Sequence, residues 1–203
     1  MKNYIYINNQ KIELTKDQAK QIAEAYGIQQ KQLSDCAVGR TVKIGNFEMV
    51  VLDQQEGQTA LILKGMYGED TEFGKKNNNY DGSYVDKKCQ QFAQELAEIV
   101  GGENIVLHKV DLTSDDGLKD YGEVERRASL ITADMYRKFV EILDTVNPEA
   151  WWWLATAHST RRHENDAWVK CVSSSGYING DCYYNDGGVR PFCILKSTIF
   201  VSE

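Results

Sequence analysis

Apolar and polar residues alternate at the start of the chain, at residues 4–7 and 11–14, on either side of an Asn-rich turn. Alternation of this kind predicts a short β-hairpin. Thr15, with Gln18 three residues later, has the spacing of a capping box, and apolar residues then recur at helical intervals up to Gly27. A helix is therefore expected directly after the hairpin.

Three apolar stretches follow, at residues 41–44, 47–52 and 59–63, and short polar turns separate them. This pattern predicts a three-stranded antiparallel meander. Residues 65–82 are rich in glycine, asparagine and charged side chains, which indicates a long irregular connection. Loops of this length are either functional or ordered by packing.

Two helices are predicted in the centre of the chain. Ser83 is a candidate N-cap, and the apolar helical face behind it ends at Gly101. After the polar stretch 111–127, Thr132 caps a second helix. That helix ends before Pro148, because the residue preceding a proline is disfavoured in the α region.

The last third of the chain returns to strand patterns. Strands, two central helices and strands again predict an α+β domain. We expect residues 1–35 to form a hairpin-helix arm and residues 36–203 to form the main domain. An isolated two-stranded hairpin is marginally stable, so the arm should dock on the main domain or on a second copy in a homodimer. The predicted C-terminal strands are residues 152–155, 167–172, 177–178, 189–195 and 198–201.

The 203-residue chain carries 30 acidic and 23 basic residues, a formal net charge of -7. This charge repels phosphate backbones, so direct nucleic-acid binding is not expected. No stretch approaches the roughly 20 apolar residues of a membrane span, and no apolar leader is visible, so we expect a cytoplasmic protein without a membrane partner. Its five cysteines contain no Cys-x-x-Cys pair and fit reduced thiols.

Three successive tryptophans, Trp151, Trp152 and Trp153, must point alternately if they lie on a strand. This favours two core anchors, assigned to Trp152 and Trp153, and one partly covered surface tryptophan; the alternative is an aromatic binding platform. Arg190 lies between a glycine pair and a proline in an apolar stretch, where a guanidinium requires partners. We expect it to clamp a carboxylate or a carbonyl, with ligand binding as the alternative.

Two polar inserts interrupt the C-terminal strands, at residues 158–166 and 181–186. They contain the tyrosine, asparagine, serine and arginine side chains that make adaptable contacts in binding loops. The alternative is a pair of solvated hairpin loops. The candidate binding residues are His158, Arg161, Arg162, His163, Asn165, Tyr183, Tyr184 and Asn185.

Three motifs carry a family resemblance: Trp-Trp-Leu at 152–154, Gly-Val-Arg-Pro at 188–191 and Leu-Lys-Ser at 195–197. They resemble the landmarks of a family of uncharacterised domains from bacterial genomes and phages, marked by a Trp-Trp-Leu-Arg-Ser-like motif and a later Gly-Val-Arg-Pro motif. The resemblance covers roughly residues 39–197 and leaves the N-terminal arm as an addition.

That family is in turn similar to the C-type-lectin-like fold of formylglycine-generating enzymes and of variable proteins diversified by phage retroelements. The resemblance implies a C-type-lectin-like scaffold on which the inserts 158–166 and 181–186 present a binding surface. Ala155 and Thr156 stand where the family usually has Arg-Ser. The contacts of that arginine are therefore missing, which leaves Arg190 without its usual neighbour.

Neither a metal site nor a cofactor site is expected from the spacing of the histidines and carboxylates. The three histidines, His108, His158 and His163, form no His-x-x-x-His pair. The acidic segment 111–120 fails the register of a calcium-binding loop, because leucine and serine occupy ligand positions. We expect no catalytic residue in this chain.

Cys171, Cys182 and Cys193 are equally spaced, which suggests a thiol-dependent or copper-dependent oxidase by analogy with formylglycine-generating enzymes. If residues 173–176 turn a hairpin, however, Cys171 lies opposite residues near Ile178 and well short of Cys182. The sequence pattern therefore argues against a thiol pair at this place.

The leading hypothesis is a non-catalytic phage or prophage accessory protein that binds another protein. A second hypothesis is an acidic phage-encoded inhibitor of a host defence nucleoprotein, of the anti-CRISPR or anti-restriction type, which requires the carboxylates of residues 111–125 to gather on one face. A third is a cysteine-dependent oxidase, which requires two sulfurs within disulfide reach, about 7 Å between Cα atoms.

Overall fold

The computed structural model describes residues 3–7, 10–25 and 30–202. At the N-terminus, β1 (Asn3–Ile7) and β2 (Gln10–Leu14) pair antiparallel, and α1 (Lys16–Ala25) follows them. Residues 8 and 9 of the predicted turn and the predicted helix end at residue 27 lie outside the described residues.

The capping box at the start of α1 is confirmed. Thr15 N donates to Gln18 Oε1 at 2.9 Å, and Gln18 N donates to Thr15 Oγ1 at 3.2 Å. Two backbone N–H groups that have no partner inside the helix are satisfied in this way, which fixes the residue at which the helix begins.

The rest of the chain forms short strands around two further helices, α2 (Tyr84–Val100) and α3 (Ala133–Leu143). Among the described residues the paired strands are antiparallel, which confirms the α+β class. In chain order, the strands are β3 (Gln30–Gln32), β4 (Thr41–Ile44), β5 (Phe47–Gln55), β6 (Gln58–Leu63), β7 (Thr71–Glu72), β8 (Ile105–Val106), β9 (His108–Asp111), β10 (Glu123–Arg126), β11 (Ala128–Ser129), β12 (Trp152–Ala157), β13 (Trp168–Val172), β14 (Ile178–Cys182), β15 (Asp186–Gly187), β16 (Phe192–Lys196) and β17 (Phe200–Ser202).

Both central helices begin at the predicted caps. The Ser83 hydroxyl accepts from Asp86 N in α2, and the Thr132 hydroxyl accepts from Met135 N in α3. Each helix buries one face, as its apolar period predicts. No helix in the described part of the chain has the length and apolar character needed to span a membrane.

The largest sheet has eight strands in the order β11-β16-β6-β5-β4-β17-β3, with β8 paired to β16. The predicted meander is confirmed as β4-β5-β6. A second sheet of three strands has the order β12-β13-β14. A short pair of β7 with β15 joins the connection 65–82 to the C-terminal part of the chain, and the pair of β9 with β10 closes the connection 112–122.

Trp152 and Trp153 both lie on β12 and are fully buried. Their side chains point to opposite faces of the strand, so each belongs to a different core cluster. Trp152 packs with Phe192 and the α3 side of the domain, whereas Trp153 packs with Phe73 and Leu130. The tryptophan pair therefore joins two hydrophobic cores across one strand.

The boundary of the N-terminal arm differs from the prediction at residues 30–35. Strand β3 pairs with β17 near the C-terminus, and Leu33 is fully buried and donates its N–H to Ile199 O at 2.9 Å. This stretch belongs to the main body. Its partner lies at the opposite end of the chain, so no local pattern could show the pairing.

The C-terminal strands also differ from their predicted limits. Strand β14 continues to Cys182, because residues 178–182 pair in regular register with β13. The second predicted insert is therefore a tight turn between β14 and β15. Strand β16 begins at Phe192 and not at residue 189, since Pro191 has no N–H for the ladder.

Replacement of either core tryptophan should destabilise the protein strongly. Trp152→Ala and Trp153→Ala are each expected to lower the free energy of unfolding by ~3 to 5 kcal/mol, because both rings are fully buried. Trp168→Ala, with a residue that is 45% exposed, is the matched control and should cost less than about 1.5 kcal/mol. Urea denaturation measures all three; a negligible cost at Trp152 or Trp153 would contradict the core role.

Candidate binding surface

The buried amide of Asn78 joins three connections of the chain. Its Nδ2 donates to Ser159 O at 2.9 Å and to Trp168 O at 2.7 Å, while its Oδ1 accepts from the Tyr121 hydroxyl at 2.7 Å. Its backbone N donates to Asp166 O at 2.9 Å. The loop before α2, the polar connection after β9 and the insert before β13 are thereby held against one another.

The insert 158–166 lies against the acidic connection 111–121. Arg162 pairs with Asp120, and His163 Nδ1 lies 2.9 Å from Asp116 Oδ2. The predicted binding residues Arg162 and His163 therefore make contacts within the chain, which occupy part of their hydrogen-bonding capacity. Arg161 is exposed at the start of the same short 3-10 turn.

Hydrogen bonds within this contact keep the carboxylate of Asp116 ionised. The Ser114 and Ser159 hydroxyls donate to it at 2.5 and 2.6 Å, and together with His163 they hold its pKa well below the usual range. The two loops are consequently joined by short charge-assisted hydrogen bonds.

A second acidic residue bridges two cations. Asp115 contacts Arg137 at 2.9 Å and Lys170 at 3.2 Å. Burial raises the pKa of Asp115, but the hydrogen bonds from Arg137 and Lys170 outweigh burial, so its pKa is lowered. The Lys170 side chain is mostly buried in this arrangement and is fixed beside Trp168 on β13.

An open groove of about 320 Å³ lies along β13 and β14. Trp168 is its most exposed large side chain, at 45%. A Cβ on Gly180 would lie 3.6 Å from the Trp168 ring, so the indole packs over the bare backbone of the neighbouring strand. The groove is lined by His158, Asn165, Trp168, Lys170, Ile178, Asn179 and Gly180.

The structure thus brings His158 and Asn165 together with Trp168, which sequence reasoning had not singled out. The alternating pattern places Trp168 on a strand, but it does not reveal that the face of the three-stranded sheet that carries Trp168 is open. Gly180, which pairs with Lys170 and lies beside the indole, is a weak signal, since a glycine inside a strand marks a close approach of another group.

Tyr183, Tyr184 and Asn185 do not line this groove. They form the turn beyond β14, where the two tyrosine rings lie 5.3 Å apart and Asn185 Nδ2 donates to Asp181 Oδ1 at 2.7 Å. Tyr184 is exposed, whereas Tyr183 packs partly against the Trp153 core. The turn lies at the Cys182 end of β14, and Cys182 is the cross-strand partner of Trp168.

Arg190 is fully buried and binds backbone carbonyls. Its Nε donates to Leu63 O at 2.7 Å and its Nη2 to Val146 O at 3.1 Å, while its guanidinium carbon lies 5.1 Å from the centre of the Trp152 ring. Burial lowers the pKa of Arg190 to about 10. No other described residue offers a partner to its Nη1. The geometry is that of a carbonyl clamp between core elements.

The described cysteines are all free thiols. Cys171 pairs with Asn179 and Cys182 with Trp168, so the predicted offset between these cysteines is confirmed. Burial raises the pKa of Cys171 and of Cys193 to about 12, which leaves little thiolate at neutral pH. Among the described residues, no cluster of His, Cys, Asp and Glu could hold a metal ion.

A histidine–serine contact escaped the sequence analysis. His108 Nε2 lies 2.9 Å from Ser129 Oγ, and the imidazole packs edge-on against Phe192 at 5.1 Å. Ser129 is only 1% exposed. Burial lowers the pKa of His108 to about 4, so the imidazole is neutral at pH 7. Because the Ser129 hydroxyl is shielded from solvent, we interpret the His108–Ser129 pair as a contact that stabilises packing.

The chain belongs to the DUF6273 family, described as a domain of unknown function, whose family model matches residues 74–197. The matched span contains Asn78, both core tryptophans and the whole groove. It agrees with the expected membership in a family of uncharacterised domains and begins later than the expected residue 39. No curated protein and no solved structure matches the chain.

Removal of the Asn78 amide should loosen the whole surface. Asn78→Ala is expected to cost about 2 to 4 kcal/mol, because Ser159 O loses this donor, the Tyr121 hydroxyl loses this acceptor, and Trp168 O keeps the N–H of His158 but loses a second donor. Asn79→Ala is the matched control, since that amide only accepts from Asp81 N in a local turn, and it should cost less than about 1 kcal/mol. Chemical denaturation gives the costs; equal values for the two variants would contradict the role of Asn78.

The buried His108 should make stability depend on pH in a defined window. Its pKa is about 4 in the folded protein against 6.5 for the ordinary group, so the unfolded chain binds the extra proton between these values. Stability should therefore fall by roughly 1 to 3 kcal/mol as the pH drops from 6.5 to 4.

Denaturation curves of wild type and His108→Gln across this window measure the effect. The variant should lose most of the pH dependence, whereas the exposed His158→Gln control should keep it. A wild-type slope that His108→Gln leaves unchanged would show that another group is responsible.

Proposed function

We propose that this chain is a non-catalytic binding protein whose groove beside Trp168, with the insert 158–166 and the turn 183–185, contacts another protein. The observation that carries the proposal is the exposed indole of Trp168 on a sheet whose other face is buried. Val169 and Cys171, the neighbours of this indole along β13, are buried in the Trp153 core. The ring is therefore presented by a rigid support.

Energetic considerations favour an interface at this ring. Tryptophan is enriched among the residues that contribute most to protein–protein binding, because it buries a large area at low conformational cost. Surrounding polar groups of His158, Asn165 and Asn179 supply the hydrogen-bonding rim that such interfaces have. Tyr177 and Tyr184, at the two ends of β14, extend the exposed aromatic surface.

The contacts that hold the insert 158–166 in place favour recognition by a preformed surface. Asn78 binds the insert 158–166 through Ser159 O, and the insert is also held by the Arg162–Asp120 ion pair and the His163–Asp116 contact. Loops fixed in this way lose little conformational entropy when a partner binds. The proposal therefore assigns recognition to groups that already have defined positions.

The proposal includes a C-type-lectin-like scaffold and a phage or prophage origin, both from the motif resemblance at 152–154 and 188–191. It also places the protein in the cytoplasm of a bacterial host. The free state of all described cysteines supports a reducing compartment. A second copy of the chain, joined through the N-terminal arm, is the other partner proposed.

Two other functions receive less support. An acidic inhibitor would need carboxylates free to imitate phosphates, but Asp115, Asp120 and Glu123 each pair with a lysine or arginine of the same chain, and Asp116 is bound by His163 and two serine hydroxyls. A cysteine-dependent oxidase would need a reactive thiolate, whereas burial raises the thiol pKa of Cys171 and of Cys193 to about 12.

The binding proposal predicts that Trp168 is required for capture of a partner. Tagged full-length chain, with nuclease added, should retain a protein partner that Trp168→Ala loses by at least about tenfold, which corresponds to the cost of a central interface tryptophan. Leu107→Ala, at an exposed apolar residue outside the groove, is the matched control and should retain the partner.

Equal capture by wild type and Trp168→Ala would contradict the proposed surface. Release of the partner by nuclease would point to nucleic acid instead. Sedimentation of the purified chain, with and without residues 1–29, shows whether a second copy is bound through the N-terminal arm, in which case the shortened chain should be monomeric.

A further inference from the structure

Strand β14 is the outer strand of the three-stranded sheet, since no described strand pairs with its second edge. Its register with β13 is regular from the Trp168–Cys182 pair to the Val172–Ile178 pair. Exposed strand edges are normally blocked by proline, lysine, a bulge or a covering element, because they can pair with other chains. Residues 178–180 contain none of these side chains, and no bulge interrupts them.

The direction of the backbone groups follows from two hydrogen bonds at the ends of the strand. Tyr183 N donates to Ala167 O at 2.9 Å, and Ser173 N donates to Tyr177 O at 3.0 Å. Because hydrogen-bonded and non-bonded pairs alternate in an antiparallel ladder, residues 177, 179, 181 and 183 direct their N–H and C=O towards β13. Ile178, Gly180 and Cys182 consequently direct theirs to the open edge.

The open part of this edge is short. At Cys182 the outward groups are already used, because its N–H donates to Asp181 Oδ1 at 2.8 Å and its C=O accepts from Asn185 N at 3.0 Å. At the other end the chain turns through residues 173–176. Within the described residues, Ile178 and Gly180 keep their outward groups free, two residues apart, which is the repeat of a β-strand.

The geometry points to one occupant for this edge: an extended peptide segment of the protein partner, added to the sheet as a fourth strand beside β14. This inference rests on the proposed binding function and specifies how the partner binds. Gly180 directs no side chain into the groove, so the partner residue opposite it can place its own side chain against Trp168. Backbone pairing then provides affinity and the Trp168 groove provides selectivity.

The length of the edge distinguishes this occupant from a second copy of the chain. If β14 paired with the β14 strand of a second copy, two short edges would meet. Each of these edges ends in a turn on both sides, at Asn185 and at residues 173–176. Only the free groups of Ile178 and Gly180 would be shared, which is few for a stable dimer. A single extended segment would pair with the same two residues, but it brings no turns of its own to the edge, so it can continue past them and place side chains in the groove beside Trp168.

Peptides selected from a phage-displayed library of random nine-residue sequences on the immobilised full chain serve as the probe. Gly180→Ala keeps the outward N–H and adds a Cβ that would lie 3.6 Å from the Trp168 ring, so this variant measures how much binding depends on the free space over Gly180. Gly180→Pro also removes that outward donor and places a ring at the edge, so binding should fall at least about tenfold below that of Gly180→Ala, and the thermal midpoint shows whether the fold is kept.

Peptides that are N-methylated at alternate residues give a second measurement, which does not depend on folding of the proline variant. Methylation of the residues that face the edge should abolish binding, and methylation of the residues between them should be tolerated, since only the former donate to β14. Trp168→Ala should weaken every selected peptide.

The outcomes separate this inference from the function on which it rests. If Trp168→Ala weakens binding but Gly180→Pro and N-methylation in either phase do not, the groove binds side chains and strand addition is wrong. If neither Trp168→Ala nor Gly180→Pro changes binding, or if no peptide is selected, both the mode of binding and the peptide-binding role of this surface are overturned.

Discussion

The side-chain amide of Asn78 is the constraint on which the candidate surface depends. A buried amide that satisfies two carbonyls, Ser159 O and Trp168 O, fixes the chain on both sides of the insert between β12 and β13. Without this amide, the carbonyl of Ser159 would lose its donor and the carbonyl of Trp168 would be left with the N–H of His158, which is costly for groups in the interior. The position of the Trp168 ring therefore follows from a hydrogen-bonding requirement on its own backbone.

Below this surface, β12 connects the interior to the site. Because Trp152 and Trp153 point to opposite faces, β12 packs into two hydrophobic cores. The guanidinium of Arg190 also contacts the Trp152 ring. Trp153 shares its core with Val169 of β13. A strand fixed on both faces cannot shift its register without exposing one set of apolar side chains, so the sheet that carries the groove is rigid.

The parts of the fold that the sequence predicted are those with local causes. The caps at Ser83 and Thr132 fixed where the helices begin, and short turns fixed the β4–β6 meander. The pairing of β3 with β17 and the groove itself depend on residues far apart in sequence, which no local pattern records. The role of Asn78 could not be predicted for a different reason. Residues 77–79 are three successive asparagines, and the sequence does not distinguish the buried one from the others.

The charges at the surface determine what kind of recognition it can perform. The chain has a formal net charge of -7, but the acidic connection beside the groove is neutralised by Arg137, Arg162 and Lys170 of the same chain. What remains at the groove is an indole, amides, an imidazole and the free backbone groups of β14. Such groups act over hydrogen-bond and contact distances and provide little long-range steering. Discrimination between partners must therefore come from shape and backbone pairing once contact has been made. A short, uncharged strand edge beside an exposed indole is suited to this form of selectivity.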